Sequence, residues 1–152
     1  MRAIDFINTL TSEGDHLEEW LSSQGLPWSE AFRELRGQVE AAVLAARDGL
    51  KPDLAPLNAA LRGAPSFDVL TWSDGVVKSR ELDGDEVARG LALLAGAAAY
   101  LLTSPAVRKV KTCEAPGCRL LFMPAHPRRR WCDPATCGNR VRVARYYQRH
   151  KD

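Results

Sequence analysis

Hydrophobic positions return at helical spacing along most of this chain, and the places where the rhythm fails mark its joints. Ile4, Phe6, Ile7 and Leu10, followed by Leu17, Trp20 and Leu21, keep returning to one face, so the first quarter reads as helical. Gly25 and Pro27 break the chain. Ser29 stands where an N-cap is wanted before Phe32, Leu35, Val39, Val43 and Leu44, which predicts a longer helix stopped by Gly49. After Pro52, Asp53 or a neighbour opens a short helix with Leu54, Leu57 and Leu61 inward, ended near Gly63 and Pro65.

The period then changes. "FDVLTW" and "VVKSREL" are rich in β-branched and aromatic residues and flank "SDG", a tight-turn signal, so a β-hairpin is expected near residues 67–82. Asp83 or Asp85 opens a helix over 86–103, where abundant Ala and Gly allow close packing. Trp20, Trp28 and Trp72 read as core residues rather than an aromatic box. Ser104-Pro105 marks a boundary, which divides the chain into a domain at 1–104 and a second at 105–152, joined near 104–112.

Composition fits a folding chain, with 45% apolar and 26% charged residues, and excludes wholesale disorder. The charge is divided. Residues 1–104 hold 9 Lys and Arg against 16 Asp and Glu, a balance of −7, whereas 105–152 hold 12 against 3, a balance of +9. An acidic body therefore carries a basic tail whose natural partner is a polyanion. "MRAIDFINTL" lacks the long apolar run of a secretory signal, which points to a cytoplasmic, reducing setting where disulfides are disfavoured. "LALLAGAAAYLL", at 91–102, is too short to span a bilayer and reads as a buried core helix, so no membrane partner is expected.

The basic tail also holds all four cysteines, Cys113, Cys118, Cys132 and Cys137, as two C-x4-C pairs thirteen residues apart. Two close pairs on a short hairpin can deliver four thiolates to a tetrahedral zinc ion at roughly 2.3 Å. Pro116 and Gly117 suit the tight turn of a zinc knuckle, and Asp133-Pro134 reads as N-cap and first helical residue, with Cys137 in the first turn of the helix. "RLLFM" and "RRRW" are expected as short strands, with Phe122 and Trp131 as a small apolar core. The fold class is thus mainly α (α+β): a helical N-terminal domain with one β-hairpin plus a C-terminal treble-clef-like four-cysteine zinc finger. Two disulfides, or four reduced thiols without metal, are the competing readings. His126 reads as a solvated loop residue. Four thiolates would fill the shell, so one Zn2+ per chain would be structural rather than catalytic.

"CEAPGCRLLFM" and "RRRWCDPATCGNRVRVARYYQRH" resemble the CGNR zinc-finger family, whose tetrapeptide stands at 137–140. Upstream, "AIDFINTL", "HLEEWLSSQGL", "FRELRGQVEAAV" and "LNAALRG" resemble the ABATE domain that accompanies this finger in bacterial proteins regarded as stress-induced transcription regulators. The resemblance implies a DNA-binding regulator, with the four cysteines as zinc ligands and Gly138, Asn139 and Arg140 as motif positions. "MPAHP" is more proline-rich than the polar loop of that family.

On the last helix, at about 100° per residue, Arg142, Arg145 and Arg149 share a sector of roughly 60°, opposite Val141, Val143, Ala144 and Tyr147. Arg140 projects from the apolar side and is expected to pack inward on helix-end carbonyls or on a carboxylate of the acidic domain. Arg128, Arg129 and Arg130 reinforce the stripe. Arginine suits planar contacts with phosphate or guanine edges, so these six arginines are the candidate nucleic-acid-binding residues. The competing functions are a zinc-stabilised protein-interaction module and an RNA binder; a homodimer would suit a regulator reading two half-sites. No phosphate loop, H-E-x-x-H or GxSxG motif is present and His16 and His150 have no evident partner, so no enzyme is expected. Asn8 and Thr9, polar within the apolar "IDFINTL" pattern, are the candidate lining of a pocket for a small-molecule effector.

Overall fold

Ser29 and Asp85 act as the caps their positions suggest. In the computed structural model, which describes residues 2–150, the Ser29 hydroxyl accepts from Ala31 N at 3.4 Å and opens α3, Glu30–Arg47. The Asp85 carboxylate accepts from Ala88 N at 2.8 Å and opens α5, Glu86–Thr103. Before them come α1, Arg2–Ile7, and α2, Leu17–Ser23. The helical rhythm of the first quarter thus belongs to two short helices around a turn. That turn is closed by the Thr11 hydroxyl, which accepts from the amides of Glu13 and Gly14, each at 3.1 Å. Helix α4, Ala55–Gly63, starts where the Asp53 carboxylate takes the Ala55 amide at 2.9 Å. It buries Leu57 but leaves Leu54 exposed, because Leu54 precedes the first turn instead of sharing its inward face.

Helix α5 is the hub, packing on α1, α3 and α4. Its 18 residues have a mean hydropathy of 1.3, long and apolar enough by composition to cross a membrane. Here it serves as the core helix of the bundle, with Gly90, Ala92, Leu94, Ala95, Ala98 and Leu101 buried. Small residues let its neighbours approach: a Cβ built on Gly90 would sit 2.8 Å from Phe32 Cζ. Phe6, Leu21, Phe32, Val39 and Val43 complete the core.

The expected hairpin forms from β1, Ser66–Trp72, and β2, Val76–Leu82, paired antiparallel with Trp72 opposite Val76. Its turn uses Asp74 at φ +52° and Gly75 at φ +151°, conformations natural to Asn, Asp and Gly. The hairpin does not fold back over the helices, so Trp72 is exposed rather than a core residue. Trp28 is also exposed, beneath the Arg33 guanidinium at 5.0 Å. Only Trp20 packs as expected, 5.7 Å from the Phe6 ring.

After Ser104 a short 3-10 turn, Pro105–Lys109, lies on α3 and α5, with Val107 and Val110 buried in the main core. The chain then enters β3, Lys111–Thr112, which pairs with β4, Leu121–Phe122. Of the two expected strands, "RLLFM" supplies β4, but its partner is β3 and not "RRRW". Pro127 offers no amide to a ladder, and the backbone carbonyls of Pro127 and Arg129 are taken by the Lys111 ammonium at 2.5 and 3.3 Å. The chain ends in a π-type turn, Pro134–Gly138, running into α6, Asn139–Arg149.

Candidate metal centre and basic helix

Each cysteine pair is held by backbone bonds that its own short sequence supplies. In the first knuckle Cys113 N donates to Leu120 O at 2.9 Å and Cys118 N to Ala115 O at 3.0 Å, and Gly117 adopts φ +73°, which a side chain would strain. In the second, the Asp133 carboxylate accepts from Ala135 N at 3.0 Å, from Thr136 N at 3.3 Å and from the Thr136 hydroxyl at 2.8 Å. These donors, the Ala135 amide first, hold the Asp133 carboxyl below the usual range. Gly138 N closes the wide turn on Asp133 O at 3.1 Å. A Cβ at Gly138 would lie 3.2 Å from the Trp131 ring, so the glycine lets that ring lie over the turn. Phe122 and Trp131 pack with the cysteines in a second, small core.

The four sulfur atoms all lie within 4.8 Å of one another. Cys118 Sγ is 3.8 Å from Cys132 Sγ, which is 3.6 Å from Cys137 Sγ. A tetrahedron with metal–sulfur bonds of roughly 2.3 Å has edges of about 3.8 Å, so the sulfurs stand where one zinc ion would hold them. They are far outside bonding distance for a disulfide, roughly 2.05 Å, and all four cysteines are free. Burial pushes the Cys118 and Cys132 thiols up, Cys132 more strongly because neighbouring thiols crowd it. Burial also acts on Cys113, but amide donation from Cys132 and Ala115 outweighs it and brings that thiol down. Four such groups cannot all ionise together without a cation between them. Two further donors face the sulfurs: Cys132 N to Cys113 Sγ at 3.4 Å and Arg140 Nη2 to Cys137 Sγ at 3.5 Å. The donor set fits one structural zinc. His126 lies outside it, exposed, its Nδ1 accepting from Arg128 N at 3.2 Å.

The arginines fall into two groups. Arg142, Arg145 and Arg149 are all exposed along α6, which buries nothing among the described residues. Arg128 is exposed without a side-chain partner among the described residues. Arg129 is instead half-buried: its Nε donates to Trp131 O at 2.9 Å, its Nη2 to Cys132 O, and its guanidinium lies 5.2 Å from the Phe122 ring centre. Arg130 donates to Glu114 at 2.5 Å. Arg129 thus holds the loop to the start of the second knuckle, and Arg130 holds it to the first knuckle while staying half exposed. Arg140 does not reach a helix-end carbonyl or a carboxylate; it is exposed and turns to Cys137, because a cation is best placed beside the accumulating thiolate charge.

A family model for the CGNR zinc finger matches residues 109–150, and one for ABATE, "Putative stress-induced transcription regulator", matches residues 2–105. The chain belongs to the ABATE family. No curated protein that was compared matches it. This ABATE protein is therefore a zinc-finger member of a family described as transcription regulators, and its finger ligands are Cys113, Cys118, Cys132 and Cys137.

The ABATE segment and the finger share a core. Adjacent residues of β4 point to opposite sides: Leu121 enters the helical core and Phe122 the finger core. Asn8 clasps that strand, donating from Nδ2 to Leu121 O at 2.8 Å and accepting from Leu121 N at 2.9 Å. Arg119 reaches Glu40 at 2.8 Å, and Arg47 reaches the Thr112 hydroxyl at 3.0 Å. Thr9 is equally occupied, its hydroxyl donating to Phe6 O at 2.8 Å and accepting from buried Arg36 at 2.9 Å. Arg36 in turn pairs with Asp15 at 2.6 and 2.7 Å. Thr9 is thus spent on internal bonds, whereas Asn8, though bonded to Leu121, also stands on the wall of a cleft of about 350 Å³ with Asp5 and Asp133. Another cleft, of about 370 Å³, lies between the Thr11–His16 turn and the finger, with Glu13, His16, Cys118, Cys132 and Arg140 on its walls. No local pattern announces it, since its walls come from both ends of the chain.

Proposed function

We propose that this protein is a cytoplasmic DNA-binding transcription regulator in which zinc organises the finger and α6 supplies the contact surface. The observation that carries the reading is the row of Arg142, Arg145 and Arg149, all exposed on one helix that packs on the finger core only at its first turn, through Val141. Acidic side chains that could quench it are engaged nearby: Glu114 with Arg130, and Asp133 with the amides of its own turn. Arginine forks suit phosphate oxygens first and guanine edges second. With Arg128 alongside, about four phosphate contacts per chain give log K a slope near −3.6 against log salt concentration. Cys113, Cys118, Cys132 and Cys137 would hold the zinc, which would tie the two knuckles together; Asp133 shapes the second knuckle, and Arg140 and the Cys132 amide donate to the sulfurs. With four protein sulfurs as the donor set, the centre supports folding rather than catalysis, and we read the protein as a binding protein and not an enzyme.

The test is a DNA titration at several salt concentrations with the zinc-loaded protein and its Arg142→Ala/Arg145→Ala/Arg149→Ala variant. Stoichiometric zinc in both and binding lost only in the variant is the expected result. Equal affinity would remove α6 from the mechanism. A second reading, a protein-interaction finger, draws on the exposed Val143 and Tyr147 on the other side of α6; tight binding of a protein partner that persists at high salt without DNA would favour it. An RNA arm in the same titration separates the two nucleic acids.

A further inference from the structure

The tip of the β1–β2 hairpin stands in solvent with apolar side chains on both faces. Leu70, Trp72 and Val76 lie on one face, exposed by 67%, 79% and 69%, and Phe67 and Val77 are exposed on the other. A two-stranded hairpin is marginal in water by itself, and large apolar side chains gathered on an open face mark a contact surface. The two outer edges differ in what they can accept. In β2 the seven residues include Lys78, Arg80 and Glu81, the charged pattern that guards an edge against further pairing. In β1 the only charge is Asp68, and it is already bound by Lys78 at 2.7 Å and Arg80 at 3.4 Å.

Symmetry sharpens the contrast. A twofold antiparallel pairing opposes residues equally spaced about its centre. Centred on Lys78, Ser79, Arg80 or Glu81, β2 would set lysine against lysine, lysine against arginine, arginine against arginine or glutamate against glutamate, each unfavourable. It escapes like charges only when centred at its turn end, on Val76 or Val77, where at most three residues of the strand would pair. Centred on Val69, β1 sets Asp68 against Leu70 and Phe67 against Thr71. Centred on Leu70, it sets Asp68 against Trp72 and Val69 against Thr71. Neither register opposes like charges.

We propose that β1 pairs antiparallel with β1 of a second copy of this chain, making a four-stranded sheet in the order β2-β1-β1-β2. The unpaired backbone groups of both edges are satisfied, and in the register centred on Leu70 the exposed Leu70 meets its counterpart and lies diagonal to Trp72 of the other copy. The surface lies in the ABATE segment, away from the zinc site, so the proposal stands whether or not α6 binds DNA.

The full, zinc-loaded chain tests it by sedimentation or light scattering across a dilution series. The wild type should be a dimer that dissociates on dilution. The Val69→Lys/Thr71→Lys variant places lysines opposite one another in either allowed register and should raise the dissociation constant roughly tenfold. A matched Val77→Lys/Ser79→Lys variant adds the same charge to the β2 edge and should dimerise like the wild type. Unchanged zinc content and circular dichroism show that each variant is folded. A wild type that is monomeric throughout, or a dimer broken by the β2 variant and not by the β1 variant, overturns the assignment.

Discussion

Replacing Asn8 by alanine removes two hydrogen bonds at once, to the amide and the carbonyl of Leu121. Leu121 is only 2% exposed, so water cannot readily take the place of the lost amide. An unmet buried backbone group costs about 1–3 kcal/mol. Asn8 itself is half-buried, which admits some water to its side, so the pair together should cost about 3 kcal/mol rather than the full sum. For a chain of this length each kcal/mol shifts the melting temperature by about 2–4 °C, giving a fall of about 10 °C. Urea denaturation of the zinc-loaded protein should show a lower midpoint with an unchanged slope, because the surface exposed on unfolding is the same. Asn8→Asp should be no better, since a carboxylate can accept from the Leu121 amide but repels its carbonyl. Both variants should also release zinc to a chelator faster than the wild type, because β4 leads directly from the first knuckle. A stability within about 0.5 kcal/mol of wild type for Asn8→Ala would refute the clasp, since that is the range of an uninvolved surface substitution.

The hydrogen bond from Arg36 holds the Asp15 carboxyl down to about 2. Its stabilisation is therefore fully present above the ordinary carboxylate range near pH 4 and is lost as pH falls through about 2. With Asp15 30% exposed, solvent screening reduces the effect to about 1–2 kcal/mol. The stability gap between wild type and Asp15→Asn should narrow as pH falls from 5 to about 2; a constant gap would count against the pair. Gly90→Ala should destabilise by about 1–2 kcal/mol in thermal unfolding, since the clash with Phe32 and Leu26 outweighs the better helix propensity of alanine. Cys118→Ser should lose stoichiometric zinc, and chelation of the wild type should deprotect the amides of Cys113, Cys118 and Gly138 in hydrogen exchange. Protection that survives metal removal would mean that the backbone, not the ion, organises the knuckles.

Much of this architecture is written in local patterns. Ser29, Asp85 and Asp133 cap the elements they precede because a side-chain oxygen two or three residues from a free amide needs no distant partner. The hairpin follows from strand-forming residues around Asp74-Gly75, and the metal site from two cysteine pairs each bent by its own turn. Those features depend on neighbours in sequence, and they appear where the spacing puts them.

The fates of Trp72, Arg129 and Asn8 depend on neighbours in space. Trp72 has the chemistry of a core residue, but its hairpin is directed away from the bundle. Arg129 belongs to a basic run, yet two carbonyls and the Phe122 ring capture it. Asn8 stands on a cleft wall, as its polarity suggests, yet its amide is also bonded to β4, 113 residues later in the chain. By itself the sequence determined the helices, the hairpin and a four-thiolate centre, because each arises from short-range periodicity, capping or turn geometry. Only the tertiary structure decided which polar groups remain free to act, because a donor is spent or available according to what long-range packing brings within hydrogen-bonding distance.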